Sequence, residues 1–192
     1  MNIAIYVDRM EMGGVETHVV TQINELLKRG HNVHLSTNAI SPVLRSSIYK
    51  YGESIGTFSC FTPWDEGETD LGNFEPDIIH VHPFSAIFRG KRAAEKTGAK
   101  LFVTMHGMYD FGIDRSPNGW PVGIKASKII CVDDGVRSLL NKCCCVPEKL
   151  ETIYNGIDFE QYTPEGKDLC LFDDLGLNYS YPTIVSVCRL ED

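Results

Sequence analysis

Three histidines lie where they could meet in a folded protein. His80 and His82 are two residues apart, so they face the same side of one predicted strand, and His106 follows another strand. Imidazoles bind metals, but no carboxylate stands at metal-ligand spacing beside them, and hydrogen-bonded histidines are commoner in protein interiors. We therefore predict no metal site. The Gly- and Pro-containing residues 108–120 follow His106 and Gly107, so we expect them to shape a pocket there.

A second candidate site is a pair of glycines in front of a helical pattern. Residues 8–16 read DRMEMGGVE, with Gly13 and Gly14 directly before the apolar face of the helix. Glycines let a backbone approach an anion, and the free N–H groups of a helix start favour a phosphate. The segment matches neither GxGxxG nor the P-loop, and the chain has no GxSxG motif, which disfavours dinucleotide binding, ATP hydrolysis and a serine hydrolase. The residues alone leave a diphosphate site and a flexible turn equally open.

The charge of the chain limits its partners. Lys and Arg number 18 against 26 Asp and Glu, a formal net charge of −8, which disfavours nucleic acid because its binding requires cations at the phosphates. Five basic residues are concentrated in the segment 89–100: Arg89, Lys91, Arg92, Lys96 and Lys100. This segment is either a solvated helix face or a site of peripheral contact with anionic lipid.

The cysteine pattern indicates a cytoplasmic protein. The chain has 7 cysteines, an odd number without CxxC spacing, which is typical of reduced thiols and not of a disulfide framework or a zinc site. The sequence shows no signal segment, and no stretch approaches the ~20 apolar residues of a membrane-spanning helix. We predict a cytoplasmic location, with any membrane association at the inner face.

Short apolar runs alternate with helical patterns, which is typical of a Rossmann-like α/β fold with a doubly wound parallel sheet. The predicted strands are residues 3–7, 32–37, 54–58, 77–81, 100–105, 127–132 and 150–153. The predicted helices are residues 15–29, 42–51, 84–97 and 133–141. Gly30 closes the first of them and Gly98 the third. Residues 59–76 are predicted to form a loop.

Such a sheet holds its ligand beyond the carboxyl ends of the strands. The residues predicted at those ends are Asp8, Thr37, His82, His106 and Asp133. Polar residues also make ordinary turns and caps at strand ends, so these residues mark either a site or the edge of the sheet alone.

Five short segments carry more information by their order than any one of them does. They are GGVE at 13–16, KRGHNV at 28–33, PDIIHVH at 76–82, TMHG at 104–107 and YNGID at 154–158. Together they resemble the amino-terminal half of family-four (group 1) glycosyltransferases, over essentially the whole chain. The resemblance implies the GT-B fold, in which two Rossmann-like domains face one another. Residues 1–182 would form the N-terminal, acceptor-side domain, with a linker from about residue 159, and residues 183–192 the first strand of a truncated donor-binding domain.

The resemblance also implies roles for residues in the first half of the chain. Gly13 and Gly14, with Glu16 in the helix that follows, would lie against the donor diphosphate and the acceptor. His106 would be a catalytic residue near the sugar that is transferred.

The resemblance implies roles for residues near the end of the chain too, with one departure from the family's pattern. Asn155, Gly156 and Asp158 would lead into the interdomain linker. Arg189 would contact the donor phosphates, a role that suits its permanent charge and forked donors. Cys188 stands where the family usually has glycine, which would crowd that approach.

The resemblance implies a retaining enzyme that moves a hexose from a nucleoside diphosphate sugar to a sugar or lipid-linked acceptor, without a cofactor or metal. The family's phosphate-binding lysine and glutamate pair would fall beyond Asp192, so we expect the 192-residue chain to transfer little by itself. Two alternatives remain open: a nucleotide-sugar epimerase on the same scaffold, and a stand-alone, non-catalytic Rossmann-like binding module.

Overall fold

The computed structural model of the chain describes residues 1–49, 59–60, 71–82, 86–107, 125–143, 147–159, 162, 168–178 and 180–186. The chain divides into two units, Met1–Ile157 and Asp158–Asp192. The first contains the sheet and, apart from Asp158, the candidate functional residues that the structure describes.

In the part of the chain that the structure describes, the first unit is built on a parallel sheet of 7 strands. In chain order the strands are Asn2–Tyr6 (β1), Asn32–Thr37 (β2), Ser59–Cys60 (β3), Ile78–Val81 (β4), Lys100–Met105 (β5), Lys128–Cys131 (β6) and Leu150–Thr152 (β7). Their spatial order is β3-β2-β1-β4-β5-β6-β7. The order reverses between β1 and β4, so a crevice opens beyond the carboxyl ends of these two neighbours.

Helices cover both faces of the sheet. They are Gly14–Lys28 (α1), Pro42–Tyr49 (α2), Ala86–Thr97 (α3) and Asp134–Cys143 (α4), and Leu169–Asp174 (α5) lies in the second unit. Within the described ranges, no helix has the length and apolar character needed to cross a membrane. The parallel sheet with helices on both faces confirms the predicted α/β, doubly wound fold.

Two apolar clusters form the core, one on each face. Ile3, Ile5 and Val33 pack with Val19 and Ile23 of α1. On the other face, β4 and β5 pack against α3 and α4 through a cluster that includes the following residues: Ile79, Val81, Val103, Ala93 and Leu140. Burial of both faces explains why the strands are continuous apolar runs in the sequence.

Local residue chemistry sets the ends of the helices. Gly30 and Gly98 follow α1 and α3 with φ of +77° and +75°, a left-handed conformation that glycine adopts without a steric cost. Asp133 precedes α4, and its Oδ1 accepts a hydrogen bond from the backbone N–H of Val136 at 2.7 Å. The predicted helix ends at both glycines are thus confirmed.

One stretch differs from the sequence prediction. The third strand was expected at residues 54–58, which lie outside the described residues, whereas Ser59–Cys60, assigned to a loop, pairs with β2. The backbone of β2 holds this strand, so it needs no apolar pattern of its own. Near the other end of the expected loop, Leu71 is buried in the core and Phe74 packs against it.

Helix α3 approaches the sheet closely. A Cβ atom at Gly90 would overlap the Cγ2 methyl group of Val81 in β4. Glycine is therefore required at this position for the observed packing of α3.

The second unit contains α5, which the sequence pattern did not predict. The Asp168 carboxylate accepts hydrogen bonds from the backbone N–H groups of Cys170 and Leu171 and so caps this helix. Residues 183–186 form no strand, and Ile184 is 96% exposed. The interpretation of this unit as a linker followed by the first strand of another domain stays a prediction.

Candidate functional site

A group of five side chains lies between α1 and the ends of β4 and β5. Hydrogen bonds join four of them, and His18 makes edge contacts with the rings of His82 and His106. His18 and Gln22 come from α1, His80 and His82 from β4 and the residue after it, and His106 from the residue after β5. We call these five residues the histidine cluster. The carboxyl ends of β4 and β5 bring it to the edge of the sheet where the crevice opens.

Gln22 joins His80 of β4 to His82, the residue after this strand. Its Nε2 lies 2.9 Å from Nδ1 of His80, and its Oε1 lies 3.1 Å from Nε2 of His82. A second chain of contacts follows, since His82 Nδ1 is 2.8 Å from Nε2 of His106. His80 Nε2 is 2.7 Å from the hydroxyl oxygen of Thr104 in β5.

The cluster replaces apolar core on one side of β4. Ile79 and Val81 point into the core beneath α3, and the alternation of a strand therefore turns His80 and His82 towards α1. Both histidines are buried, and His82 has no exposed surface. Buried polar groups require hydrogen-bond partners, and Gln22, Thr104 and His106 supply them.

Burial and mutual repulsion keep the imidazoles uncharged. Burial lowers the pKa of His80 to about 3, with the charges of His18 and His106 adding to the effect. Burial is also the main reason that the pKa of His106 falls to about 4 and that of His82 falls well below its ordinary value. Burial also lowers the pKa of His18. At neutral pH each ring therefore carries one N–H donor and one lone pair.

Three of these rings are close enough to be considered as metal ligands. Ring nitrogens of His18, His82 and His106 lie within 4.8 Å of one another. Both ring nitrogens of His82, however, already have partners, in Gln22 and His106. An ion would have to replace those hydrogen bonds, so the absence of a metal stays our prediction.

The predicted glycine site lies at the start of the same helix. Gly13 is extended, with φ −173°, and among the described residues no side chain caps the helix. A Cβ atom at Gly14 would have nothing within 4 Å. As far as the described residues show, the first N–H groups of α1 are thus open to a ligand, one helical turn before His18. Glu16 lies in this first turn.

Arg89 differs from the surface role that the sequence suggested. Its side chain is only 17% exposed and lies 3.9 Å from the carboxylate of Asp8. It donates to the carbonyl of Val7 at 3.1 Å and to the hydroxyl of Ser36 at 3.3 Å. The prediction that Arg89 takes part in membrane contact is therefore wrong, because this arginine ties α3 to the ends of β1 and β2.

The other residues expected at strand ends separate into two groups. Thr37 donates to the carbonyl of Ala39 at 3.0 Å, and Asp133 caps α4, so both have structural roles. His82 and His106 join the histidine cluster. Only these two therefore contribute to the candidate site.

The YNGID segment contacts α4 through Tyr154. The Tyr154 hydroxyl donates to Asp134 at 2.8 Å, which lowers the pKa of Asp134 and raises that of Tyr154. Asn155 and Gly156 are exposed, and Asp158 begins the second unit. Their interdomain role stays a prediction. The predicted phosphate ligand Arg189, with its neighbour Cys188, lies outside the described residues.

Sequence reasoning missed two members of the cluster, His18 and Gln22. They are four residues apart on α1 and flank the apolar positions Val19 and Ile23. Two polar residues at this spacing form a stripe beside the buried face, facing whatever the helix covers. That stripe was the available signal.

Comparisons with known proteins agree with the fold. Residues 12–161 match the family Glycosyltransferase Family 4, whereas no curated protein sequence matches the chain significantly. HepE of Anabaena, crystallised with UDP and glucose, is 18% identical with a TM-score of 0.70, and the match covers 92% of this chain and 50% of HepE.

Two further structures share the fold. A glycosyltransferase from Rickettsia africae is 16% identical, with a TM-score of 0.72 and coverage of 94% of this chain and 51% of that one. The sucrose-phosphate synthase of Thermosynechococcus elongatus is 15% identical, with a TM-score of 0.56 and coverage of 92% and 53%. The chain thus spans about half the length of these structures and has the α/β arrangement of a GT-B half. On the match over residues 12–161, the chain belongs to Glycosyltransferase Family 4.

Proposed function

We propose that this chain is the acceptor-side half of a retaining glycosyltransferase, which moves a hexose from a nucleoside diphosphate sugar to a sugar or lipid-linked hydroxyl. The observation that carries the proposal is a neutral His106, held by His82, at the same sheet edge as the open start of α1. The complex of HepE with UDP and glucose supports a nucleotide-sugar donor.

The start of α1 would stabilise the departing diphosphate. As the bond from sugar C1 to the phosphate oxygen breaks, negative charge develops on that oxygen. The N–H groups that follow Gly13 and Gly14 lie at the positive end of the helix dipole and suit that charge. Arg189 would add a fixed cation, so the proposal requires no metal or cofactor.

The acceptor side needs groups of the opposite kind. The new bond joins C1 to the acceptor oxygen, and the acceptor proton passes to the departing diphosphate. Glu16 is half-buried in the first turn of α1, where its carboxylate would repel a diphosphate but accept a hydrogen bond from a sugar hydroxyl. We therefore assign Glu16 to the acceptor and His106 to the transferred sugar.

The test is transfer from labelled nucleotide sugars by a protein extended through the coding sequence beyond residue 192. We expect transfer with retained configuration, and little or none by the 192-residue chain alone. His106→Ala should lower transfer by about tenfold or more, the cost of one lost hydrogen bond to the substrate. His31→Ala is the matched control, because His31 lies outside the cluster, and it should transfer normally.

Two results would contradict this assignment. An epimerised nucleotide sugar, with no glycoside formed, would identify the epimerase of the same scaffold. Binding of a ligand without any turnover by the extended protein would identify a non-catalytic module.

We also propose that the acceptor is presented at an anionic membrane surface, through Lys91, Arg92 and Lys96 of α3. Arg92 and Lys96 are exposed, while Lys91 is half-buried and pairs with Glu95. Changing the three to Gln should weaken sedimentation with phosphatidylglycerol vesicles, whereas Lys28→Gln on α1 should not. Equal binding of the vesicles by both variants would show that this face of α3 is a solvated surface and makes no membrane contact.

A further inference from the structure

The side chain of Gln22 reaches two buried histidines, His80 of β4 and His82 directly after it. An amide has two unlike ends, since its nitrogen only donates hydrogen bonds and its oxygen only accepts them. The nitrogen faces His80 and the oxygen faces His82. The two contacts therefore differ in direction, and each prescribes where a proton lies on its histidine.

The direction of these contacts propagates through the cluster. Because Nδ1 of His80 accepts from Gln22, the proton of that neutral ring is on Nε2, which donates to Thr104. Because Nε2 of His82 donates to Gln22, its Nδ1 carries the lone pair and accepts from Nε2 of His106. The second ring nitrogen of His106, Nδ1, then carries a lone pair.

We propose that Gln22 is a positioning residue, which fixes the tautomers of His82 and His106 so that His106 presents an unprotonated Nδ1 as a hydrogen-bond acceptor for a substrate hydroxyl. The role of His106 towards the substrate rests on the proposed function. The tautomers themselves are a property of the folded chain. An acceptor at Nδ1 selects a sugar hydroxyl over a carboxylate or phosphate, which has no proton to donate at neutral pH.

Two substitutions separate the two ends of the amide. Gln22→Glu keeps an acceptor oxygen for His82 but has no N–H for His80 when ionised, so His80 should change while His106 keeps its tautomer. Gln22→Met has similar length without either group, so His82 and His106 should both become mixtures of tautomers. Thr21→Ala is the matched control, since among the described residues the Thr21 hydroxyl bonds to the carbonyl of Thr17, one turn earlier, and to no member of the cluster.

The first readout is long-range ¹H–¹⁵N NMR of the histidine rings in the 192-residue chain, which distinguishes the two neutral tautomers without any substrate. We expect the Nε2–H form for His80, His82 and His106 in the unsubstituted chain and in Thr21→Ala. The Nδ1–H form at His106 in the unsubstituted chain would overturn the proposal, and so would an unchanged His106 in Gln22→Met.

The second readout is transfer by the extended protein. Gln22→Met should lower kcat/KM by about tenfold, and Gln22→Glu should lower it less. If Gln22 were purely structural, the loss of kcat/KM in each variant would instead parallel its loss in free energy of unfolding. Equal losses in the two variants would overturn the proposal. If the extended protein transfers nothing at all, the proposed function fails, and the NMR result still decides whether Gln22 sets the tautomers.

Discussion

Substitution of Gly14 distinguishes an effect on folding from an effect on ligand binding. A methyl group at this position would meet nothing within 4 Å, yet the proposed diphosphate approaches this backbone. Gly14→Ala should therefore leave the urea unfolding midpoint unchanged or slightly higher, because alanine favours a helix. Transfer by the extended protein should fall by about tenfold. Unchanged transfer would remove Gly14 from the substrate site.

Arg89 has the opposite character, since its partners all belong to the chain. Arg89→Met would remove donors to Val7 and Ser36 and leave Asp8 without this cation. Loss of such charge-assisted bonds should lower the free energy of unfolding by about 2–3 kcal/mol. The exposed Lys96→Met should change it by less than about 0.5 kcal/mol. Urea unfolding of the two variants tests this, and equal effects would show that Arg89 contributes no more than a surface residue.

The site could be predicted from the sequence only as far as its motifs extended. His82 and His106 ended recognisable strands, and Gly13 and Gly14 preceded a helix with a clear apolar face. Gln22 belongs to no motif, and its importance arises from two partners that are 58 and 60 residues away. Arg89 was misassigned because composition shows a basic segment but not which side chain turns inward.

At the scale of elements, the packing of α3 on β4 depends on Gly90. Gly90→Ala would drive a methyl group into the side chain of Val81, and overpacking of this kind costs about 1–3 kcal/mol. This cost outweighs the gain in helix propensity, so urea unfolding should show a net destabilisation. Gly14→Ala is the comparison, as the same substitution into open space. A stability equal to that of the unsubstituted chain would show that α3 shifts freely on the sheet.

The predictability of elements follows the same division between local and distant causes. Residues 3–7 and 100–105 form strands whose two faces are largely buried, which requires a mostly apolar run. That run could be recognised in the sequence. β3 has two residues and is held by Ser36 and Thr37 of β2. The helix α5 has 6 residues and exposed leucines, too few and too exposed for a periodic pattern.

At the scale of the whole molecule, the histidine cluster links stability to pH. In the unfolded chain these histidines titrate near their ordinary 6.5, whereas in the folded chain the pKa values of His80 and His106 are about 3 and about 4. The unfolded state therefore binds more protons between these limits, and stability falls as pH decreases from 6.5. The slope is at most about 1.4 kcal/mol per pH unit for each histidine.

Urea unfolding at pH values from about one unit above 6.5 to about one and a half units below it measures this dependence. Stability should be nearly constant above 6.5 and should decrease below it. His80→Gln, which cannot take up a proton, should show a shallower decrease than the unsubstituted chain. A stability independent of pH between 6.5 and 5 would contradict the burial of uncharged imidazoles.

The β7 margin of the sheet has a consequence for self-association. Among the described strands, β7 ends the strand order on its side and contains 3 residues. An unpaired margin can template the addition of another chain, and brevity is one means by which proteins prevent it. With so few backbone groups on offer, this margin does not provide the long, flat ladder on which strands of neighbouring copies could build a fibril.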